Sequence, residues 1–436
     1  MNAVSRLYRT LVLLLALAAW GAACSRATVP SPPPALSMNT IAERYVRLVL
    51  AVGQHDADYV DAYYGPADWK PSEKSSLDEL ASRAQVLGHE LKTVAAPTDP
   101  MERLRHAYLS QQVASIAARL AMLKGERFPF DQESRALYDA TAPVLPESHF
   151  QEILSQLETR FPGTGTLASR YEAFRRPFVI PKERLDQVFQ TAIGACRERT
   201  RRHIPLPEGE SFTVEYVTGK SWSGYNWYQG GFKSLIQVNT DLPIYVDRAI
   251  DLACHEGYPG HHVYNALLEK YLVKDRGWME YSVYPLFSPQ SLIAEGTANY
   301  GIEVAFPGDE RIQYEQQVLF PAAGIDPARS REYYEVQALV DKLAYAGNEA
   351  ARRYLNKEID AAQAAAWLER YALMSHDRAA QRVRFFDQYR SYVINYNLGK
   401  DMVRDFVEKR AGGDPDKRWQ EFEALISSPR LPSGIR

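Results

Sequence analysis

The chain has 436 residues, of which 46% are hydrophobic and 24% charged, so it can bury a sizeable core as one large body or roughly two to three domains. A formal net charge of −3 gives no pull toward nucleic acid or acidic membranes. Three cysteines, Cys24, Cys196 and Cys254, are too few for a disulfide framework.

Residues 1–23 read as a targeting segment. Arg6 and Arg9 precede an apolar run from Leu11 to Trp20 that is too short for a comfortable membrane span. Gly21-Ala22-Ala23-Cys24 then resembles a bacterial lipobox, in which the chain is cut before the cysteine and Cys24 is acylated. Gly21 departs from the leucine usual there, so ordinary signal cleavage stays open. Ser25 resembles the outer-membrane sorting pattern, which implies a lipid-anchored envelope protein on the periplasmic face. The proline-rich residues 24–37 cannot bury a core and read as a tether, with the folded body over 38–436.

From Asn39 the periodicity is helical. Ile41, Tyr45, Leu48 and Val52 recur at helical spacing, and further helices are expected at 77–94, 98–125, 147–161, 166–175 and 181–202. Asp61 to Trp69 is an aromatic loop, read as a packed helix corner or a substrate contact. His55, His89, His106, His149 and His203 have no partners at ligand spacing.

Residues 211–219 alternate polar and apolar, and a second alternating run, Phe232 to Val238, follows Gly230-Gly231. A small antiparallel sheet of two to four strands is expected. In zinc peptidases of the thermolysin type such a sheet precedes the metal-binding helix and aligns extended substrate, and this stretch looks like that arrangement. Tyr225, Asn226, Trp227 and Tyr228 would then line the cleft. Otherwise they stabilise a hairpin through cross-strand aromatic pairs.

The helix beginning after Pro243 carries HEGYPGHH, starting at His255. The usual zinc motif HExxH sets two histidines one turn apart with the glutamate as general base. Here Pro259 stands at the fourth position, followed by Gly260, His261 and His262. On an unbroken helix His261 would sit about 240° away from His255, and His262 about 10.5 Å along the axis. Pro259 cannot donate to the carbonyl of His255, and Gly260 permits conformations other residues avoid. The helix should therefore kink or loop out, and a two-residue excursion brings His261 to the missing histidine's place. Cys254 reads as a small apolar residue on the buried face, able to pair with Cys196 only if the fold brings them within reach.

HEGYPGHH resembles the HExxPGH signature of the bacterial family called domain of unknown function 885, which looks like a relative of the gluzincin metallopeptidases. The resemblance implies His255 and His261 as zinc ligands and Glu256 as the base, with His262 beside the site or competing for the metal. Gluzincins take a third ligand from a following helix, and Ser291 to Glu303 is that helix. Glu295 sits among small residues in EGTAN, which resembles the family's EGWA-type segment. Glu303, two turns on, is its rival. Asn299 stands where related enzymes place an aspartate, and its side-chain oxygen can accept from a ligand imidazole.

The C-terminal lobe reads helical at 309–320, 327–345, 347–356, 360–373, 376–396, 400–411 and 415–426, with breaks at Pro327, Gly399 and Gly412-Gly413. His376 reads as a helix start. Ser391 to Val403 resembles the family's YxxG segment through Tyr396 and Gly399. Tyr396 is therefore a candidate oxyanion donor, with Tyr392 as rival. Arg382, Arg384 and Arg390 lie nearby, suited to a substrate carboxylate or to surface ion pairs.

The expected architecture is mainly α: a large zincin-like helical domain with the small antiparallel sheet beside the metal helix. Two histidines and a glutamate leave a position for water, the composition of a catalytic zinc site. The expected function is zinc-dependent peptide or amide hydrolysis by Glu-assisted attack of zinc-bound water on a peptide or small amide substrate. A zinc hydrolase of a non-peptide ester or amide, and a metal-binding lipoprotein without turnover, are the alternatives. No nucleic acid partner is expected, the membrane is engaged through the lipid anchor only, and oligomeric state is left open.

Overall fold

The computed structural model describes residues 37–436; the targeting segment, Cys24 and the tether through residue 36 lie outside the described residues. Helices dominate because long stretches place apolar residues at helical spacing and close them with recognisable caps. The first is α1 (Met38–Gly53), which buries Ile41, Tyr45, Leu48 and Val52. It is followed by α2 (Leu77–Thr93), capped by Ser76, and α3 (Pro100–Leu123), capped by Asp99. Then come α4 (Phe130–Tyr138), α5 (Glu147–Arg160), α6 (Leu167–Arg175) and α7 (Leu185–Arg201). Sequence periodicity finds all of these except α4, whose nine residues are too few to establish a period.

Between α1 and α2, Val60–Tyr63 forms strand β1, part of the segment read as an aromatic loop. β2 (Ser211–Val217), β3 (Gly224–Gly230) and β4 (Lys233–Asn239) form a separate sheet in the order β2-β4-β3. β3 and β4 are an antiparallel hairpin, but β2 runs parallel to β4, so the expected antiparallel sheet is in fact mixed. Alternation identifies strands, not neighbours: the chain places β4 in the middle, and β2 joins its far edge. The hairpin turn puts Gly231 and Phe232 at φ 62° and 63°. Phe232 is an unusual residue there, and Glu269 holds the turn by accepting from the Gly231 and Phe232 amides at 3.1 and 3.4 Å.

Next come α8 (Asp247–Leu252), a π-helical turn (Ala253–Gly257) and α9 (His261–Leu268). β5 (Val283–Pro285) pairs antiparallel with β1. α10 (Pro289–Ala305) is buried on nearly every side, as befits a central helix. The C-terminal lobe adds α11 (Asp309–Tyr314), α12 (Ser330–Val340), α13 (Ala346–Leu355), α14 (Ala361–Tyr371), α15 (His376–Tyr389), α16 (Ile394–Ala411) and α17 (Pro415–Ile426).

Gly399, expected as a break, lies inside α16. The interruption falls earlier, at Arg390, which adopts φ 53°. Buried Glu133 builds it, accepting from Arg390 Nε at 2.8 Å and from the Ser391 amide and hydroxyl at 3.1 and 2.7 Å. The residues from Met38 to Arg436 cluster as one unit around a continuous core, with a satellite cluster of Phe150, Ile153, Leu157, Tyr171, Val336 and Tyr371. Among the described residues, no helix is long and apolar enough to cross a membrane.

Candidate metal centre

The chain around His255 leaves the helix and re-enters it. The π-helical turn carries His255 and Glu256, Tyr258 is extended, and α9 starts at His261. The Gly260 amide closes the excursion on the Cys254 carbonyl at 2.9 Å. A Cβ on Gly260 would stand 1.9 Å from the His255 carbonyl oxygen, so only glycine fits. The excursion brings the Nε2 atoms of His255 and His261 to 3.1 Å, with the rings perpendicular.

α10 supplies the third group. Glu295 Oε2 lies 3.3 Å from His255 Nε2 and 3.8 Å from His261 Nε2. This oxygen is buried and has no aligned hydrogen-bond donor. The other, Oε1, accepts from Tyr392 Oη at 2.8 Å. Glu303 points elsewhere and pairs with Lys400 at 2.6 Å.

Asn299 orients the first imidazole. Its Nδ2 donates to the Tyr396 carbonyl at 3.2 Å, which fixes the amide and turns Oδ1 toward His255 Nδ1, also at 3.2 Å. Nδ1 must then carry the proton, leaving the Nε2 lone pair facing His261 and Glu295. Burial, together with the neighbouring His255, pushes His261 down to about 4, so its ring is neutral and also offers a lone pair.

These residues fit a zinc ion. Tetrahedral bonds of about 2.1 Å to nitrogen and oxygen require donor atoms about 3.4 Å apart. The three facing atoms all lie within 4.8 Å of one another, and the orphaned Glu295 oxygen lacks the partner a cation would provide.

Glu256 adjoins the triad, with Oε1 4.0 Å from His255 Nε2. Burial lifts its carboxyl to about 7; His255 works against the rise and Glu295 adds to it. β3 passes directly over this side chain, since a Cβ on Gly224 would stand 2.8 Å from Glu256 Oε1. Burial also holds the Tyr392 and Tyr396 phenols well above their usual range, so both keep their protons.

The four β3 residues expected in the cleft divide by their position along the strand, the first two reaching it and the next two not. Tyr225 and Asn226 line it. Asn226 supports the backbone of Glu256, donating to its carbonyl at 2.7 Å. Trp227 is 40% exposed and bonds Gln237, and Tyr228 is buried against Glu269, so neither lines the cleft.

His262, expected beside the metal or as its ligand, faces away from the triad. Its Nδ1 meets Ser234 Oγ at 2.9 Å and its Nε2 meets Glu210 Oε2 at 3.0 Å. Glu210 also accepts from Tyr258 Oη at 2.5 Å and pairs with Arg197. Adjacent helical residues point about 100° apart, so only one of the two histidines can reach the triad. Cys254 is paired with Cys196, with Cα atoms 5.6 Å apart, which corrects the reading of Cys254 as a small apolar filler. The disulfide ties α7 to the turn immediately before His255.

Asp61 escaped the sequence reading. It lines the cleft, accepts from Tyr225 Oη, and is lifted by burial to about 7. No local signal marks it, because its place comes from the pairing of β1 with β5. The cleft has a volume of about 1340 Å³ and also receives Arg382 and Phe385 from α15, Tyr392 from the turn after it and Tyr396 from α16.

No family model matches the chain, and no curated protein matches it. Among the solved structures that are similar to it are two described as lipoproteins. One is described as "the putative lipoprotein from Colwellia psychrerythraea", with 15% identity over 84% of this chain and 69% of that one, at a TM-score of 0.48. The other is described as "a putative lipoprotein of unknown function from Shewanella oneidensis", with 14% identity over 82% of this chain and 72% of that one, at a TM-score of 0.44.

Proposed function

We propose that this protein is a zinc-dependent hydrolase of peptide or small amide bonds, held at the cell envelope by a lipid on Cys24. The observation that carries the reading is the Glu295 Oε2 atom, buried without a hydrogen bond between two imidazole nitrogens. His255, His261 and Glu295 would hold the ion, consistent with the resemblance to domain of unknown function 885 and, through it, to the gluzincins. A zinc ion there supplies Lewis acidity beside the cleft.

The chain's own groups divide the remaining work. Glu256, 4.0 Å from His255 Nε2, takes a proton from the attacking water and returns it to the departing amine. Its elevated pKa suits both transfers near neutral pH. Asn226 fixes the backbone that carries Glu256. Tyr392 holds the ligand Glu295, which assigns it to orientation. Tyr396 lines the cleft, and its hydroxyl has no hydrogen-bond partner among the described residues, so it is free to donate to a substrate oxygen as charge develops.

The test is metal content of the purified folded body, residues 38–436, by elemental analysis. About one zinc per chain is expected for a site of this kind. It should be lost in His255→Ala, His261→Ala and Glu295→Ala and kept in His262→Ala. Absence of bound metal after zinc is supplied sinks the reading. Retention of zinc without hydrolysis of any peptide library favours a metal-binding lipoprotein.

A further inference from the structure

The three arginines near the end of the chain part company in the fold. Arg390 is paired with Glu133 at 2.6 Å, and Arg384 is exposed. Arg382 lines the cleft. Its guanidinium lies 4.6 Å from the ring of Phe385 and 5.6 Å from that of Tyr396. The Tyr396 ring is 5.8 Å from the Tyr392 ring, and the Tyr392 hydroxyl holds Glu295. Arg382 and the triad therefore share one wall.

Five other cations around the cleft have anionic or carbonyl partners, while Arg175, set against the Tyr171 and Tyr245 rings, and Lys342 lie along it away from the wall that carries Tyr392 and Tyr396. Lys400 pairs with Glu303 at 2.6 Å, Arg404 with Asp401 at 2.7 Å, Arg311 with Asp251 at 2.8 Å and Arg248 with Asp251 at 3.0 Å. Arg378, one turn before Arg382, donates to the Pro243 carbonyl at 3.0 Å. Among the described residues Arg382 has neither an ion pair nor a hydrogen bond, and its Nε is shut off from solvent without an acceptor. A guanidinium carries five donors in a planar fork and stays charged, so withdrawing it from water without an acceptor is costly. Aromatic rings on its faces leave the donor edge as the place for a partner.

We propose that Arg382 binds a carboxylate of the substrate, and specifically the free C-terminal carboxylate of a peptide. Planar fork-to-fork pairing suits that group. The proposal rests on the hydrolase reading and narrows it: water adds across the terminal amide, releasing one amino acid and a shortened peptide. The cleft thus acts on chain ends.

The experiment measures binding of N-acetyl-Ala-Ala, its C-terminal amide, and N-acetyl-Glu-Ala amide by calorimetry. It uses the zinc-free protein, so that metal coordination adds nothing. The free acid should bind the parent protein about 100-fold more tightly than the amide. Arg382→Met should erase that difference and Arg382→Lys should keep part of it. Equal binding of acid and amide by the parent overturns the proposal without any variant, as does no binding of the acid at millimolar concentration. Arg382-dependent binding of the glutamyl amide at the strength of the free acid overturns the C-terminal assignment in favour of a side-chain carboxylate. Because zinc is absent, these outcomes judge Arg382 alone, while metal content and hydrolysis judge the reading beneath it.

Discussion

Gly296 of α10 and Gly399 of α16 meet backbone to backbone: a Cβ on Gly296 would stand 2.4 Å from the Gly399 carbonyl oxygen. The neighbour is main chain and cannot rotate away. Gly296→Ala should therefore destabilise the protein by about 1–3 kcal/mol despite alanine's better helix propensity. It should also weaken zinc binding, because Glu295 precedes the contact. Thermal unfolding and zinc titration check both; an unchanged midpoint would show that the helices slide apart at no cost.

Asn299 sets the tautomer of His255 by presenting Oδ1 to Nδ1. Asn299→Leu removes that acceptor and the donor to the Tyr396 carbonyl. Zinc affinity should fall by about 10- to 100-fold. Competition against a chromogenic chelator reads this directly, and unchanged affinity would mean that the ring is oriented by packing alone.

Glu256→Gln should leave zinc content at the parent level while lowering turnover by about 100- to 10,000-fold. If full hydrolysis of a cleaved substrate survived, the role of general base would pass to another group.

Burial lifts both Asp61 and Glu256 to about 7. Their folded values stand above ordinary carboxylate values of about 4, so the folded state binds more protons between these limits. Their contribution is most favourable in acid and is lost as pH rises through about 7. The thermal midpoint of the metal-free protein should therefore decline from about pH 5 to about pH 7.5, and zinc should flatten the decline by favouring the Glu256 carboxylate. His261, held down at about 4, works against this trend below about pH 6.5, so the check is Asp61→Asn, whose metal-free midpoint should decline less steeply than the parent's; an unchanged slope would contradict the burial of Asp61.

Glu210 behaves in the opposite sense. Burial works against its ionisation, but hydrogen bonds from His262, Tyr258 and Arg197 outweigh it and hold the carboxyl at about 2. Burial keeps His262 below its usual value, so its ring is neutral and donates to the charged carboxylate. This stability is present above the unfolded value of about 4.3 and is lost as pH falls toward about 2. Glu210→Gln should cost about 3 kcal/mol at neutral pH and shrink the acid-dependent loss. Denaturant titrations at several pH values test both parts.

The candidate site was legible where chemistry is local in sequence. His255, Glu256 and His261 lie within seven residues, and Pro259-Gly260 announces the detour that brings the imidazoles together. Glu295 is conspicuous as a carboxylate among small apolar residues. Asp61 and Glu210 were not assigned, and Arg382 was not told apart from Arg384 and Arg390, because each acquires meaning from strands or helices distant in the chain. Gly399 shows a different ambiguity: glycine marks either a helix end or a close crossing, and only the facing Gly296 decides between them. Likewise, alternation in β2, β3 and β4 reveals strands but leaves their order to the tertiary fold.

The bond between Cys196 and Cys254 joins positions 58 residues apart and so closes a covalent ring. The ring contains α8 and all three strands of the mixed sheet, including the β3 residues that support Glu256. A protease that nicks the exposed stretch around Gly219 would cut the ring once without releasing a fragment. The nicked protein would run as one species on a gel without reductant and as two with it, and the turn that carries His255 would remain tethered to both pieces.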